Sequence, residues 1–291
     1  MAERQLPTRE PSLFDPEFLG QLEQLRLHFR IRASGQSGGG RPSRQQGASA
    51  EFSDFREYQP GDDFRRVDWN AYARFGKLIL KLFMEERQMH VRMLLDQSGS
   101  MALQGKGLLA KRLALTMGYL ALSSYDQLSL LPLDPNTQGL GPLTGKSLFL
   151  QAAQYLETLP HFEATRLTQS ITRIPFRGSG ICYLFTDGFS QDGIENALAY
   201  LRYHKQQTTL VHILSPEELD PGLEGEIRLI DSETKEERTL EMSPGVLQRY
   251  QETLQSFCGD LKERCHRYGF SYTLIPGNMD LRQAVLEQLI R

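Results

Sequence analysis

The feature that most constrains this chain is a change of rhythm at His90. From there on, short apolar runs alternate with stretches of helical pattern. HVRMLLD precedes a helical stretch over 106–123, and QLSLLPL (127–133) precedes one over 147–158. GICYLFT (180–186) precedes one over 191–203, and TTLVHIL (208–214) follows. Runs that are apolar throughout suit strands covered on both faces, and the intervening helices can supply the cover. The pattern predicts an α/β domain over about 88–291, with a doubly wound, mainly parallel sheet and helices on both faces. EIRLID (226–231) and ERTLEM (237–242) flank the polar SETKE and predict a hairpin. A long amphipathic helix over 245–267, a strand FSYTLIP (270–276) and a closing helix over 279–290 complete the expectation.

The region before this domain reads differently. Residues 1–12 have the composition of a tail. Asp15-Pro16-Glu17 is a helix start, with Asp as N-cap and Pro in the first turn, and Leu19, Leu22 and Leu25 give a short helix an apolar face to pack on the body. Residues 34–49 are rich in Gly, Ser and Gln and predict a loop, so 1–50 forms a first segment. Residues 51–87 form a second, irregular and partly extended, with a turn at Gln59-Pro60-Gly61-Asp62 and a strand at Lys77–Phe83. It is dense in aromatics and in both signs of charge. Arg56, Arg65, Arg66 and Arg74 stand close in sequence to Glu57, Asp62, Asp63 and Asp68. Semi-buried charges need partners, so a salt-bridge network docking this segment on the α/β body is expected, with Trp69 as an anchor. A partner-binding surface that includes Tyr58 is the alternative.

Composition removes several classes of function. With 33 Lys and Arg against 36 Asp and Glu, the net charge of -3 gives no basic footprint for nucleic acid. Three cysteines, Cys182, Cys258 and Cys265, form no C-x-x-C pair, so neither a disulfide framework nor a zinc site is expected. No apolar run approaches the roughly 20 residues that span a bilayer, and the N-terminus is polar. A cytoplasmic protein without direct membrane insertion is the expectation.

The chemistry concentrates in Asp96-Gln97-Ser98-Gly99-Ser100-Met101. A carboxylate closes an apolar strand, and two hydroxyls follow at i+2 and i+4 on an exposed loop before a helix. In open parallel sheets ligands bind beyond the carboxyl ends of the strands. There, oxygen side chains can converge on a hard cation such as Mg²⁺ or Mn²⁺. A second acid, Asp187 in Thr186-Asp187-Gly188, closes a later strand. A further hydroxyl is expected from Thr165 or, alternatively, Thr168. One direct carboxylate and neutral hydroxyls leave such an ion under-neutralised, so an acidic residue from a partner protein could complete its shell. The bland reading of Asp-x-Ser-x-Ser is a helix N-cap, and the second acid argues against it.

Together Asp96-Gln97-Ser98-Gly99-Ser100-Met101 and Thr186-Asp187-Gly188 resemble the metal-ion-dependent adhesion site of von Willebrand factor A domains. The upstream block is narrower. Glu51-Phe52, Arg56-Glu57-Tyr58, Pro60-Gly61-Asp62-Asp63, Arg65, Asp68-Trp69 and Ala73-Arg74 resemble the signature of the bacterial domain-of-unknown-function family 58. The similarity runs on through Pro216-Glu217-Glu218, Asp231-Ser232-Glu233 and the helix with Tyr250. It implies a von Willebrand factor A-like domain, and a partnership with MoxR-type AAA+ ATPases in assembly or maturation. No enzymatic activity is established for the family as a whole, so the resemblance points to none. Where family members often carry Gly-Gly-Thr-Asp, this chain has Glu163-Ala164-Thr165-Arg166.

Two other motifs are set aside. Thr144-Gly145-Lys146-Ser147 resembles the end of a P-loop, but Leu140 stands where its leading glycine belongs. Ser98 and Ser100 lack a G-x-S-x-G elbow, and no motif ties His161, His204, His212 or His266 to them. The expected role is therefore a non-enzymatic, metal-dependent adaptor. A hydrolase using the same ion to activate water is the alternative.

Overall fold

The computed structural model describes residues 13, 17–25, 52–60, 62–64, 67–83, 88–134, 136–160, 166–222, 225–230 and 237–290. The chain divides into two compact units, Gly39–Gln88 and a larger one made from Met1–Gly38 with Met89–Arg291.

In the smaller unit, β1 (Phe52–Glu57) pairs antiparallel with β2 (Ile79–Phe83), with a register irregularity between Phe52 and Asp54. Between them lies α2 (Trp69–Phe75). Asp68 caps it by accepting from the N–H groups of Asn70 (3.0 Å) and Ala71 (3.2 Å), and Gly76 closes it in the left-handed conformation.

Among the described residues, six strands of the larger unit form one sheet in the order β10-β7-β6-β3-β4-β5. They are β3 (His90–Leu95), β4 (Gln127–Pro132), β5 (Leu140–Thr144), β6 (Gly180–Thr186), β7 (Gln206–Leu214) and β10 (Ser271–Pro276). All pairings are parallel except that of β4 with β5. The mixed α/β architecture with a mainly parallel sheet is therefore as the alternation of runs requires. The antiparallel edge strand β5 is not among the expected elements. Its Gly141 and Pro142 read as turn residues, but a proline is tolerated on an edge, where its missing N–H breaks no ladder.

Strand side chains alternate between two separate cores, so helices must lie on both faces. Val91, Met93 and Leu95 join Phe185, Val211, Ile213 and Ile275 in one. This core is covered by a helix over 17–25 (α1, through Phe18, Leu22 and Leu25), by α3 (Lys106–Ser123) and by α4 (Phe149–Thr158). Leu94, Cys182, Leu184 and Leu210 join the other, under α5 (Leu167–Thr172), α6 (Glu195–Tyr203) and α8 (Pro244–Arg267). The short α7 (Pro216–Leu219) follows β7, and β8 (Gly225–Ile230) and β9 (Glu237–Met242) form the expected hairpin. Asp15 and Pro16, the expected start of α1, lie outside the described residues. The closing helix is one short α segment, α9 (Leu281–Gln283), that continues as a π turn over Ala284–Leu289.

Cys182 and Cys265 are buried, and all three cysteines are free thiols. Burial raises the thiols of both to about 12, which keeps them protonated and unreactive.

Candidate metal centre

Strand order fixes where a ligand can bind. The chain winds outward from β3 to β4 on one side and from β6 to β7 on the other, so the order reverses between the adjacent strands β3 and β6. Asp96 and Asp187 follow the last residues of these two strands. The Asp96 N–H donates to the carbonyl of Phe185 at 3.0 Å, which continues the ladder by one step and sets Asp96 beside Thr186. The two acids are thus brought to the switch point of the sheet, the place where open α/β sheets bind ligands.

The first loop is closed on itself. Asp96 Oδ1 accepts from the Ser98 N–H at 2.9 Å, and Asp96 Oδ2 accepts from the Thr186 hydroxyl at 2.6 Å. The Ser98 and Ser100 hydroxyl oxygens lie 3.0 Å apart. Asp96 is only 3% exposed and Ser98 0%, which corrects the expectation of an exposed loop. The turn from Ser98 to Leu103 and the bond from Gly107 N–H to the Met101 carbonyl fold it over the start of α3.

The second acid is more constrained. Asp187 is completely buried, and its Oδ1 accepts from the Phe189 N–H at 3.2 Å. Gly188 sits at φ 76°, and a Cβ there would lie 2.8 Å from Leu261 Cδ1 and 3.2 Å from Phe257 Cζ. The glycine of the Thr-Asp-Gly triplet is therefore a packing requirement as well as a turn requirement. Asp187 Oδ2 accepts from the Lys106 ammonium at 2.9 Å, and the same ammonium binds Glu218 Oε1 at 2.5 Å. The Lys106 side chain is wholly buried. Glu218 also accepts from the Ser215 N–H in a capping box at the start of α7, and its carbonyl accepts from the Tyr250 hydroxyl at 2.6 Å.

Neither Lys106 nor Glu218 was singled out as a site residue on sequence grounds. One signal was present for the lysine, because a cation in the first turn of a helix opposes the helix dipole and needs a reason.

His212 lies beneath the second acid. Its Nε2–H donates to the Asp187 carbonyl at 2.8 Å, so Nδ1 must accept from the Tyr272 hydroxyl at 2.7 Å. Burial holds the imidazole neutral and lowers it to about 4. Both ring nitrogens are thus engaged in structural bonds, which leaves no free position on His212 for a general base.

The remaining predicted positions separate. Thr165 and Glu163 lie outside the described residues. Thr168 is described, and its hydroxyl donates to the Gly193 carbonyl at 2.7 Å. In the smaller unit Arg56 pairs with Asp62 at 2.8 Å. The Asp62 carboxyl is held below its usual range by the Gln59 N–H and then by Arg56. Asp68 is the cap of α2. Trp69 is 57% exposed, and its ring lies between Phe64 (6.3 Å) and Tyr72 (6.2 Å); Phe64 in turn meets Tyr58 at 4.9 Å. Asp63 and Arg74 are exposed, and Arg65 lies outside the described residues. Lys146 of the P-loop-like stretch lies over the Tyr119 ring, beyond the edge strand β5.

A set of hard oxygens suits a hard cation. Two ligands in neighbouring positions of an octahedral Mg²⁺ shell, each about 2.1 Å from the ion, stand about 3.0 Å apart. The Ser98 and Ser100 oxygens have that spacing. The Gln97 side-chain oxygen, one residue from Asp96, is buried and accepts no hydrogen bond among the described residues, a state that calls for a water or an ion nearby. Among the described residues no group of three or more His, Cys, Asp or Glu could hold a metal, so a site here depends on its hydroxyls.

Fold and site therefore define an α/β domain with a cluster of oxygen side chains at the switch point of a mainly parallel sheet. The chain belongs to the family described as protein of unknown function DUF58, whose model matches residues 54–256, more than half of its length. Curated relatives include uncharacterized protein Rv1480 of Mycobacterium tuberculosis and uncharacterized protein Mb1516 of Mycobacterium bovis. Each is 30% identical over 87 residues, 30% of this chain and 27% of the relative. The chain thus spans about a quarter of the length of the curated relatives it matches.

Similar solved structures include the conserved hypothetical protein BatB from Bacteroides thetaiotaomicron, at 18% identity over 68% of this chain and 95% of that one, with a TM-score of 0.39. An aerotolerance-related membrane protein from Bacteroides fragilis, in a form with multiple mutations to serines, gives 14%, 67%, 94% and 0.39. An uncharacterized membrane spanning protein from Vibrio fischeri gives 15%, 68%, 96% and 0.22. The expectation of a cytoplasmic location is corrected by these findings, since two of the three are described as membrane proteins. Among the described residues no helix is long and apolar enough to cross a membrane. Composition and the length of apolar runs bear on direct insertion and not on where a chain resides.

Proposed function

We propose that this chain is a von Willebrand factor A-like adaptor that grips a protein partner through a divalent cation. Asp96, Ser98 and Ser100 would hold Mg²⁺ or Mn²⁺, with Asp187 as the second acid and Thr165 as a further hydroxyl. The observation that carries the reading is the pair of hydroxyl oxygens 3.0 Å apart beside a buried carboxylate at the switch point of the sheet. An ion there supplies a Lewis-acidic position for a partner's carboxylate. The residues orient that position and shield it from water. The MoxR-type AAA+ ATPase as partner, in an assembly or maturation role, rests on the family resemblance.

Two variants and one partner test the reading. Because Asp96 is buried and accepts two hydrogen bonds, Asp96→Asn is preferred to Asp96→Ala: it keeps the shape and removes the charge. Calorimetry should show Mg²⁺ or Mn²⁺ binding in the wild type and at least a tenfold loss in Asp96→Asn, on the order expected for removing a directly ligating charge. Capture of the purified ATPase should require the metal and vanish with chelator. Equal metal affinity in both proteins would refute the site. Tight binding of the ATPase indifferent to chelator would refute the grip while leaving the partner.

A further inference from the structure

The candidate centre already contains a cation. Lys106 opens α3, where the helix dipole disfavours an ammonium, and its side chain is completely buried. A buried ammonium is tolerated only when paired, and here two carboxylates from different strand ends hold it: Asp187 after β6 and Glu218 after β7. Asp187 is the acid that the metal reading also claims. Its Oδ1 accepts from the Phe189 N–H and its Oδ2 from Lys106, so a cation drawing on Asp187 meets the charge of that ammonium and competes with it for the carboxylate.

We infer that Lys106 is a built-in competitor for the metal, which sets the affinity of the centre and retreats onto Glu218 when a cation takes Asp187. This inference rests on the metal reading above and deepens it. The geometry gives the lysine a second resting place, because Glu218 is fixed independently of it. Its Oε2 accepts from the Ser215 N–H at 2.7 Å, and the residue's carbonyl is tied to Tyr250 of α8. Lys106 can therefore release one carboxylate without becoming an unpaired buried charge. Loading the centre would shift the ammonium toward α7, an element anchored to α8. A partner bound at the metal would in this way be coupled to α7 and α8.

Two substitutions should act with opposite sign. Lys106→Met removes the competing charge and should tighten Mg²⁺ or Mn²⁺ binding by about tenfold or more, as expected for deleting a unit charge near a partly buried ion. Glu218→Gln removes the resting place, strengthens the hold of Lys106 on Asp187, and should weaken metal binding by a similar factor. The experiment is calorimetric titration of the full chain with MnCl₂ and MgCl₂ for wild type, both variants and Asp96→Asn, with circular dichroism to confirm folding. Tighter binding in Lys106→Met together with weaker binding in Glu218→Gln supports the inference. If Lys106→Met does not fold, Glu218→Gln decides alone, with weaker binding in support and unchanged or tighter binding against. Metal binding that is lost in Asp96→Asn but unchanged or weaker in Lys106→Met overturns the lysine's role and leaves the metal reading standing. No binding in wild type or in any folded variant overturns both.

Discussion

Thr186→Val offers the sharpest test of how the two strand ends are joined. The Thr186 hydroxyl donates to Asp96 Oδ2 at 2.6 Å and accepts from the Gly188 N–H at 3.0 Å, and the residue is fully buried. Valine keeps the shape and deletes both bonds. Loss of a hydrogen bond to a charged group costs about 1.5–3 kcal/mol, and the part-buried Gly188 N–H left without its acceptor adds about 1–2 kcal/mol. The expected destabilisation is therefore about 3–5 kcal/mol, or roughly 6–20 °C in melting temperature for a domain of this size. Thr186→Ser keeps the oxygen and loses one methyl, so it should cost only about 1 kcal/mol. Chemical denaturation of the three proteins, with matched slopes, measures the difference. A Thr186→Val protein within about 1 kcal/mol of wild type would refute the bridge. Equal losses in the valine and serine variants would show that the methyl, not the hydroxyl, matters.

The other expectations concern the opposite ends of the same strands. A Cβ at Gly180 would lie 2.1 Å from Arg92 Nη1 and 2.4 Å from the His90 carbonyl oxygen, so Gly180→Ala must move backbone and should lose about 3 kcal/mol in urea unfolding; a neutral result would show that β3 and β6 yield there. Arg92, which also binds Gln206 at 2.6 Å, donates to His90 Nδ1 at 2.8 Å, so the neutral ring donates from Nε2 to the Ser129 hydroxyl. Burial and then the Arg92 charge lower His90 to about 4. The unfolded chain therefore binds the extra proton first, and this contribution is complete above about pH 6.5 and is lost as the pH falls toward 4. His90→Gln should flatten the stability profile across that window relative to wild type, and identical slopes would rule the contribution out.

Much of this molecule is written locally. Apolar runs such as MLL at 93–95 and the helical period of 106–123 depend on neighbours a few residues away, so they survive a reading of the chain alone. The Asp96, Ser98 and Ser100 set is also local, because one turn after a strand brings i, i+2 and i+4 together. The edge strand β5 was hidden because Gly and Pro signal a turn wherever they occur, whereas their tolerance on an edge depends on the finished sheet.

The contacts that hold the site together were not legible in the sequence. Lys106 meets Asp187 across 81 residues and Glu218 across 112, and Thr186 meets Asp96 across 90. Those meetings follow from which strand lies beside which, and in what register. That order is selected by the burial of both faces of the sheet at once, so no segment carries it alone. The sequence placed an acid at each of two strand ends. Tertiary structure decided that one of them faces a buried ammonium, because only the assembled sheet brings α3, β6 and α7 to a single point shielded from water.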